Sequence, residues 1–275
     1  MDFGLPIGEI VWLLAMMLGG GFVMGVLAGL LGIGGGGVMV PILYELFSAM
    51  GVDDAVRMHM CVGTSLAVIL PTSLRSFFSH KAKGAVDLGI IRSMAVPVVV
   101  GVVIGAIVAR YSDNDILTAI WAGSATVMSL KLFFGRESWK LGDEIPGNPL
   151  RALYGLFVGA ISTLMSIGGG AFITMMMTLY GRSIHQAVAT SSGFGPLIAI
   201  PGTLGFIWAG WGVAGTPPGS LGYVSLLSAL IIVPVSVLAA PLGVRLAHGI
   251  SRRNLERAFA TFLAIIAVRF FVTLL

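Results

Sequence analysis

The sequence predicts an all-α polytopic membrane protein, with ten helical segments arranged as two inverted-topology repeats of five. Three observations carry this prediction: the composition, the length of the apolar segments and a repeated order of motifs. Of the 275 residues, 57% are hydrophobic and only 10% are charged, and the mean hydropathy is +0.99. Because a soluble domain carries about 25% charged residues, this chain could not cover a water-exposed surface. The composition therefore excludes a soluble globular protein.

Ten apolar segments can be read along the chain, against the roughly 20 apolar residues that a membrane-spanning helix needs. The second and seventh segments are too short to span comfortably, and each follows a glycine run. We therefore expect these two to be short helices that begin at glycine breaks near the membrane midplane. The first half holds segments at about 7–31, 38–50, 59–79, 89–110 and 115–134. The second half holds segments at about 151–166, 171–181, 186–209, 222–246 and 254–274.

The two halves carry similar motifs in the same order, which predicts an internal duplication. Such repeats are a common build of secondary transporters. The aligned pairs are GIGGGGVM (Gly32–Met39) with SIGGGAFI (Ser166–Ile173), HMCVGTSL (His59–Leu66) with HQAVATSS (His185–Ser192), and PTSL (Pro71–Leu74) with PGTL (Pro201–Leu204). The predicted organisation is a first repeat at 1–134, a connector at 135–150 and a second repeat at 151–275.

The basic residues predict that the two repeats have opposite orientations in the membrane. The loop after the third segment carries Lys81, Lys83 and Arg92, whereas its counterpart at 210–220 has no charge. The loop after the fourth segment shows the reverse imbalance, because its counterpart at 245–257 carries four arginines. Basic loops stay in the cytoplasm. The same loop is thus inside in one repeat and outside in the other, the connector is cytoplasmic, and both termini lie outside.

The glycine run Gly32–Gly37 allows three interpretations. It matches the dinucleotide fingerprint G-x-G-x-x-G, but its flanks are membrane segments and the second copy breaks the pattern, which excludes a nucleotide site. Close packing of helices through small residues is an open alternative. The third interpretation is a helix break, at which a half-helix restarts and aims free amides and a positive dipole end at a cavity. Two such ends converging from opposite sides predict a site for a small anion.

The predicted substrate-binding residues are the glycines of both breaks, the hydroxyls of the two V-x-T-S motifs and one arginine. Serine and threonine in membrane helices also bond the preceding turn, and an arginine near a basic loop can snorkel toward it. Both alternatives stay open from sequence. The candidates are Gly34, Gly35, Gly36, Gly37, Thr64, Ser65, Arg75, Gly168, Gly169, Gly170, Thr190, Ser191 and Ser192.

Two prolines are predicted to kink the third and eighth segments. Pro71 and Pro201 each remove a backbone hydrogen bond. The carbonyls that they free, together with the hydroxyls of Thr72, Ser73 and Thr203, are further candidates for lining the site.

Three titratable residues are candidates for gating or proton coupling. His59 and His185 are expected to open the third and eighth segments, and histidine titrates near neutral pH. Glu45 lies on the first short segment and has no acidic counterpart in the second half. The alternatives are a cap or interface role for the histidines and a surface position for Glu45. No Cys, His or Asp cluster has metal-ligand spacing and no catalytic motif occurs, so we expect no metal, no cofactor and no enzyme.

Three stretches carry a resemblance to a known family. They are GLLGIGGGGVMVPIL at 29–43, AVRMHMCVGTSLAVILPTSL at 55–74, and GAISTLMSIGGGAFITMMM with HQAVATSS between 159 and 192. Together they resemble the TauE/SafE family of sulfite exporters and related anion permeases, including permeases of the 4-toluene sulfonate uptake type. The resemblance implies a bacterial inner-membrane protein that moves small sulfur-containing or organic anions such as sulfite, sulfoacetate or other sulfonates.

The residues and the resemblance together predict a secondary transporter that works by alternating access, with export as the expected direction. An anion channel and an uptake permease for another small anion are the alternatives. The expected partners are a small anionic substrate, the lipid bilayer and a coupling ion, either H⁺ or Na⁺. We expect no nucleic acid partner, and a homodimer is left open.

Overall fold

The fold is that of a computed structural model, which describes residues 7–31, 36–135, 140–246 and 252–275. The predicted all-α polytopic class is confirmed, since most of the described residues are helical and the described strands have only two residues each. The first half forms α1 (Ile7–Leu31), α2 (Gly36–Ala49), α3 (Asp54–Ala82), α4 (Leu88–Tyr111) and α5 (Asn114–Phe134). The second half forms α6 (Leu150–Leu164), α7 (Gly170–Leu179), α8 (Ile184–Ser191), α9 (Phe194–Ala209), β1 (Ser220–Leu221), β2 (Val224–Ser225), α10 (Leu226–Leu246) and α11 (Arg252–Thr273).

Six helical stretches among the described residues are long and apolar enough to cross a membrane. They are Val11–Gly29, Asp54–Ala82, Leu88–Tyr111, Asn114–Phe134, Ile184–Ala209 and Leu226–Gly243. The outside of the bundle is apolar, since Val96 on α4 and Leu230 and Leu238 on α10 are each 72% exposed. Exposed apolar surface of this extent is typical of a membrane-facing protein.

Aspartates that cap the helices explain where three of them begin. Asp53 accepts a 2.9 Å hydrogen bond from the amide of Ala55 at the start of α3. Asp87 caps α4 and Asp113 caps α5 in the same manner. Such a side chain satisfies an amide that has no partner within the helix. The third segment therefore starts at Asp54 rather than near residue 59, and the expectation that His59 opens it was wrong.

The second half departs from the predicted segments at two places. The eighth segment is not continuous, because α8 ends at Ser191 and α9 begins at Phe194. The ninth begins at Leu226 rather than near residue 222, because a short antiparallel β-ribbon precedes it. Gly222 forms the turn of the ribbon, with a φ of +53°. A Cβ at this position would clash with the carbonyl of Ile207.

The two halves interleave rather than forming separate bodies. The first helix of each half packs most extensively on the helix that forms the fourth predicted segment of the other half, α1 on α10 and α6 on α4. A glycine permits each contact, because a Cβ at Gly25 would collide with the carbonyl of Ser236 and one at Gly159 with the carbonyl of Val98. The matched packing supports the internal repeat, whose inverted orientation stays a prediction.

Candidate functional site

The second glycine run breaks the helix, as the sequence predicts. α6 ends at Leu164 and α7 starts at Gly170. Between them Ser166 and Gly169 have φ values of +53° and +70°, in the left-handed region that favours glycine. The amide of Ile167 donates to the carbonyl of Ser162 at 2.8 Å, which closes the end of α6. The first amides of α7 have no partner within the helix, so its N-terminal end can attract an anion.

The first glycine run meets the second break. Gly34 and Gly35 lie outside the described residues, but Gly36 and Gly37 begin α2 and are buried. A Cβ on Gly36 would collide with the carbonyl of Ser166. Gly37 lies 3.4 Å from the ring of Phe259, measured from an ideal Cβ position. Gly36 thus allows the start of α2 to pack closely against the second break, whereas Gly37 faces α11.

A cavity of about 410 Å³, which we call the α3 cavity, lies beside the second break. It brings together several predicted residues, since Arg75, Gly168, Ser191 and Ser192 all line it. Its other walls come from small residues of α1, α9 and α10. The remaining polar lining comes from α3 and the residue just after it: Thr72, Ser73, Ser76, Ser79, His80 and Lys83.

The charged groups that line the α3 cavity are cationic. Arg75 and Lys83 form no ion pair with any residue that the structure describes, and no carboxylate is among the lining residues. Intramembrane charges tend to mark substrate pathways. A roomy cavity with two unpaired cations and no counter-charge suits a small anion.

The predicted hydroxyls of the cavity are engaged with the preceding turn of their helices. Ser191 Oγ donates to the carbonyl of Val188 at 2.9 Å, and Ser192 Oγ donates to that of Ala189 at 2.6 Å. Thr72 and Ser73 donate likewise to carbonyls within α3. Local bonding of this kind is the alternative that the sequence left open. These four hydroxyls are therefore engaged, whereas Arg75 and Lys83 have no ion-pair partner among the described residues.

Thr64 and Thr190 lie outside the cavity and join the two halves instead. The amide of Ser225, at the start of α10, donates to Thr64 Oγ1 at 2.9 Å. The amide of Asp87, at the start of α4, donates to Thr190 Oγ1 at 2.9 Å. Ser65, beside Thr64, is fully buried and its hydroxyl has no partner among the described residues.

The two histidines that were predicted as gating candidates, His59 and His185, lie away from the cavity. His59 is 2% exposed, and its Nε2 lies 2.9 Å from the carbonyl oxygen of Ala109 while its ring lies 4.7 Å from that of Tyr223. Burial raises the pKa of Tyr223, and the charge of Arg110 partly opposes this shift. His185 is the second residue of α8, as predicted, and is exposed.

The remaining gating and kink candidates also lie apart from the cavity lining. Glu45 Oε1 lies 2.6 Å from Arg269 Nη2, in an ion pair between α2 and α11. Pro71 and Pro201 lie inside α3 and α9, and neither is among the cavity-lining residues. Within the described ranges, no group of three or more His, Cys, Asp or Glu side chains could hold a metal ion.

Four polar lining residues were not predicted as site residues: Ser76, Ser79, His80 and Lys83. They follow Thr72 at spacings of three or four, which places them on one face of a helix. A polar stripe at that spacing near the end of an apolar helix was the signal in the sequence that could have found them.

The model of the family described as "Sulfite exporter TauE/SafE" matches residues 17–270. The chain belongs to the TauE/SafE family. This TauE/SafE chain is 32% identical over 256 residues to a "Probable membrane transporter protein" of Haemophilus influenzae, covering 92% of this chain and 96% of that protein. It is 28% identical over 269 residues to a protein of the same description from Methanocaldococcus jannaschii, covering 94% and 96%.

A third relative of the TauE/SafE chain is a "Probable membrane transporter protein" of Bacillus subtilis, 28% identical over 196 residues, which cover 69% of this chain and 77% of that protein. No solved structure matches the chain. The TauE/SafE chain is therefore a multi-pass membrane transporter of the sulfite exporter family, and not an enzyme.

Proposed function

We propose that this protein is a secondary transporter that moves sulfite, sulfoacetate or other small sulfonates and organic anions across the inner membrane by alternating access. Export is the proposed direction. The observation that carries the proposal is the α3 cavity, in which Arg75 and Lys83 stand without ion-pair partners among the described residues and no carboxylate lines the wall.

The chemistry of the cavity fits an anion with several acceptor oxygens. A guanidinium presents a planar fork of donors that can bind two oxygens of one sulfonate, and Arg75 would supply it. Lys83 would add a point charge from the end of α3. Gly168 brings the second helix break to the same wall, and the start of α7 favours negative charge.

The cavity opens on the side from which an exporter would load its substrate. It reaches Lys83, which lies in the basic loop that the positive-inside rule places in the cytoplasm. The other part of α3 is covered by the β-ribbon, since Gly63 lies against the carbonyl of Tyr223 at 2.5 Å from an ideal Cβ position and Thr64 accepts from Ser225. A conformation open to the cytoplasm and closed at the far end can load an anion for export.

The first experiment is a thermal-shift screen of the purified protein with sulfite, sulfoacetate, thiosulfate, sulfate and phosphonates. We expect a sulfonate or sulfite to raise the melting temperature, and Arg75→Gln to remove that shift. Arg92→Gln is the matched control, because Arg92 is exposed near the start of α4, just after the basic loop, and does not line the cavity. A wild-type shift in Arg75→Gln would overturn the proposed role of the cavity.

Flux into proteoliposomes separates a carrier from the two alternatives. A carrier saturates with substrate and shows counterflow, whereas a channel conducts far faster without counterflow. Net uptake from the outer side against an anion gradient would favour an uptake permease. Imposed H⁺ and Na⁺ gradients, applied one at a time, identify the coupling ion by which of them accelerates the flux.

A further inference from the structure

Five hydroxyls are buried without a hydrogen-bond partner among the described residues: those of Ser65, Ser162, Ser166, Thr203 and, in the β-ribbon, Ser220. The side chains of Ser65, Ser162 and Ser166 are fully buried. Buried polar groups in native proteins are nearly always paired. A group of unpaired hydroxyls therefore needs an explanation. One explanation is a ligand that accepts hydrogen bonds from them in another conformation of the protein.

Three of these hydroxyls lie on chain segments that meet around Gly202. An ideal Cβ at Gly202 would lie 3.2 Å from Leu66 Cδ1 and 3.7 Å from Thr163 Cγ2. Leu66 follows Ser65, Thr163 follows Ser162, and Thr203 follows Gly202 in the chain. Thus α3, α6 and α9 bring the three segments to one place in the interior.

The internal repeat relates these three positions to the lining of the α3 cavity. The aligned motifs pair Ser65 with Ser191 and Thr203 with Ser73, and extending the GIGGGG alignment back along α1 pairs Ser162 with Ala28. Ser191, Ser73 and Ala28 all line the cavity. One member of each aligned pair therefore lines the open cavity. The other member carries a buried hydroxyl that has no partner among the described residues.

We propose that Ser65, Ser162 and Thr203 form a second substrate site, which is closed in this conformation and opens to the side opposite the α3 cavity. It would bind the same class of small sulfonate or sulfite anion, and in this respect it rests on the proposed function. The three hydroxyls are free to donate to an anion, because none of them donates to any other group that the structure describes.

The second site differs from the cavity in charge. The counterpart of Arg75 is Gly205, and an ideal Cβ there lies 2.5 Å from Ala106 Cβ, which leaves no room for a long side chain. The loop at 210–220, which corresponds to the basic loop, has no charge. Neutral hydroxyls bind an anion more weakly than a guanidinium does. The cavity would therefore load the anion and the second site would release it.

Single-cysteine labelling tests the two-sided arrangement without knowledge of the substrate. Cys61, the chain's one cysteine, is buried, so Cys61→Ala provides the background. Ser76→Cys reports the α3 cavity, and Ser162→Cys and Thr203→Cys report the second site. A membrane-impermeant maleimide is applied to inside-out and to right-side-out vesicles that contain the full-length protein.

We expect Ser76→Cys to react from the cytoplasmic side, and Ser162→Cys and Thr203→Cys to react only from the opposite side. Their reaction should be at least about tenfold slower, because a minor conformation is typically populated at about 0.1–10%. Labelling of all three from the same side would overturn the proposal. So would a failure of Ser162→Cys and Thr203→Cys to react from either side when the denatured protein labels fully.

Flux measurements with sulfoacetate in proteoliposomes test the ligand. Ser65→Ala, Ser162→Ala and Thr203→Val should each raise KM about tenfold for substrate added on the side opposite the cavity, since each loses a donor to a charged acceptor. KM on the cavity side should stay unchanged. Ser129→Ala is the control, because that buried hydroxyl donates to Ala260 away from both sites. An equal effect on both sides, or none, would contradict the assignment.

The two tests separate this inference from the proposed function. One outcome is that the labelling follows the expected sides although neither sulfite nor sulfoacetate binds or is transported. In that case the anion assignment fails for both sites, but the second site still opens to the opposite side. If an anion binds at the α3 cavity but the labelling is one-sided, the proposed function stands and the second site is overturned.

Discussion

Thr190 Oγ1 accepts a 2.9 Å hydrogen bond from the amide of Asp87, which ties α8 of the second half to the start of α4 in the first. Its counterpart Thr64 accepts from Ser225 at the same distance. Each threonine thus satisfies an amide at the start of the fourth predicted segment of the other half. The two bonds hold the halves together at equivalent positions in the repeat.

Replacing Thr190 by valine should destabilise the protein by about 1–3 kcal/mol, because the amide of Asp87 loses its acceptor inside the bundle. The measurement is denaturant unfolding in detergent micelles. Thr178→Val is the matched control, since Thr178 donates only to carbonyls of its own helix. An equal, small loss in both variants would show that the bond between the halves contributes nothing.

Both the charge and the shape of the Arg75 side chain should contribute to anion binding. We expect Arg75→Lys to weaken sulfite or sulfonate binding by about tenfold and Arg75→Gln by about 100-fold, because the guanidinium offers a bidentate, charge-assisted fork. Isothermal titration of the purified variants measures the affinities. If both variants bind as the wild type does, Arg75 only extends toward the basic loop and takes no part in recognition.

Gly36 should not tolerate even a methyl group. Gly36→Ala would push the start of α2 against the carbonyl of Ser166, and overpacking of this kind costs about 1–3 kcal/mol. Gly123→Ala is the contrasting variant, because Gly123 lies inside α5 with open space around it. It should stabilise the protein by up to about 1 kcal/mol through helix propensity. Thermal unfolding measures the change in stability of both variants. A Gly36→Ala variant as stable as the wild type would disprove the close contact.

Glu45 should behave as a structural partner of Arg269 rather than as a proton carrier. Both side chains are partly exposed, so Glu45→Gln should cost at most about 1 kcal/mol of stability. Anion flux and its dependence on pH should be those of the wild type in proteoliposomes. If Glu45→Gln folds normally but its anion flux no longer depends on pH, Glu45 takes part in proton coupling after all.

The sequence predicted the helices well, because long apolar segments admit few other structures in a membrane. It missed features that depend on single side chains. Asp53 extends α3 by accepting from Ala55, and the turn at Gly222 forms a ribbon where a helix start was expected. Both signals are short, and the apolar residues around them are compatible with helix.

The sequence analysis predicted only part of the cavity lining, and the reason differs from the one that applies to the helices. Arg75, Gly168 and Ser191, which the sequence analysis named as candidates, line one cavity. The repeat pointed to Gly168 and Ser191 through aligned motifs, whereas Arg75 stood out as a charge on an apolar segment. It could not say which way a hydroxyl faces on its helix. Thr64 and Thr190 belong to the same V-x-T-S motifs as Ser65 and Ser191, but they face the other half of the protein. Only the packing of the helices reveals this difference.

The packing of α1 on α10 has a consequence for how the protein is made. α1 ends at Leu31, but its main partner begins only at Leu226. At roughly 5–20 residues per second, synthesis takes about 10 to 40 seconds to bridge that distance. During this time the glycine-bearing face of α1 is covered by lipid or by the insertion machinery, whereas α4 meets α6 soon after it emerges. The first half therefore cannot complete its assembly before the ribosome has nearly finished the second.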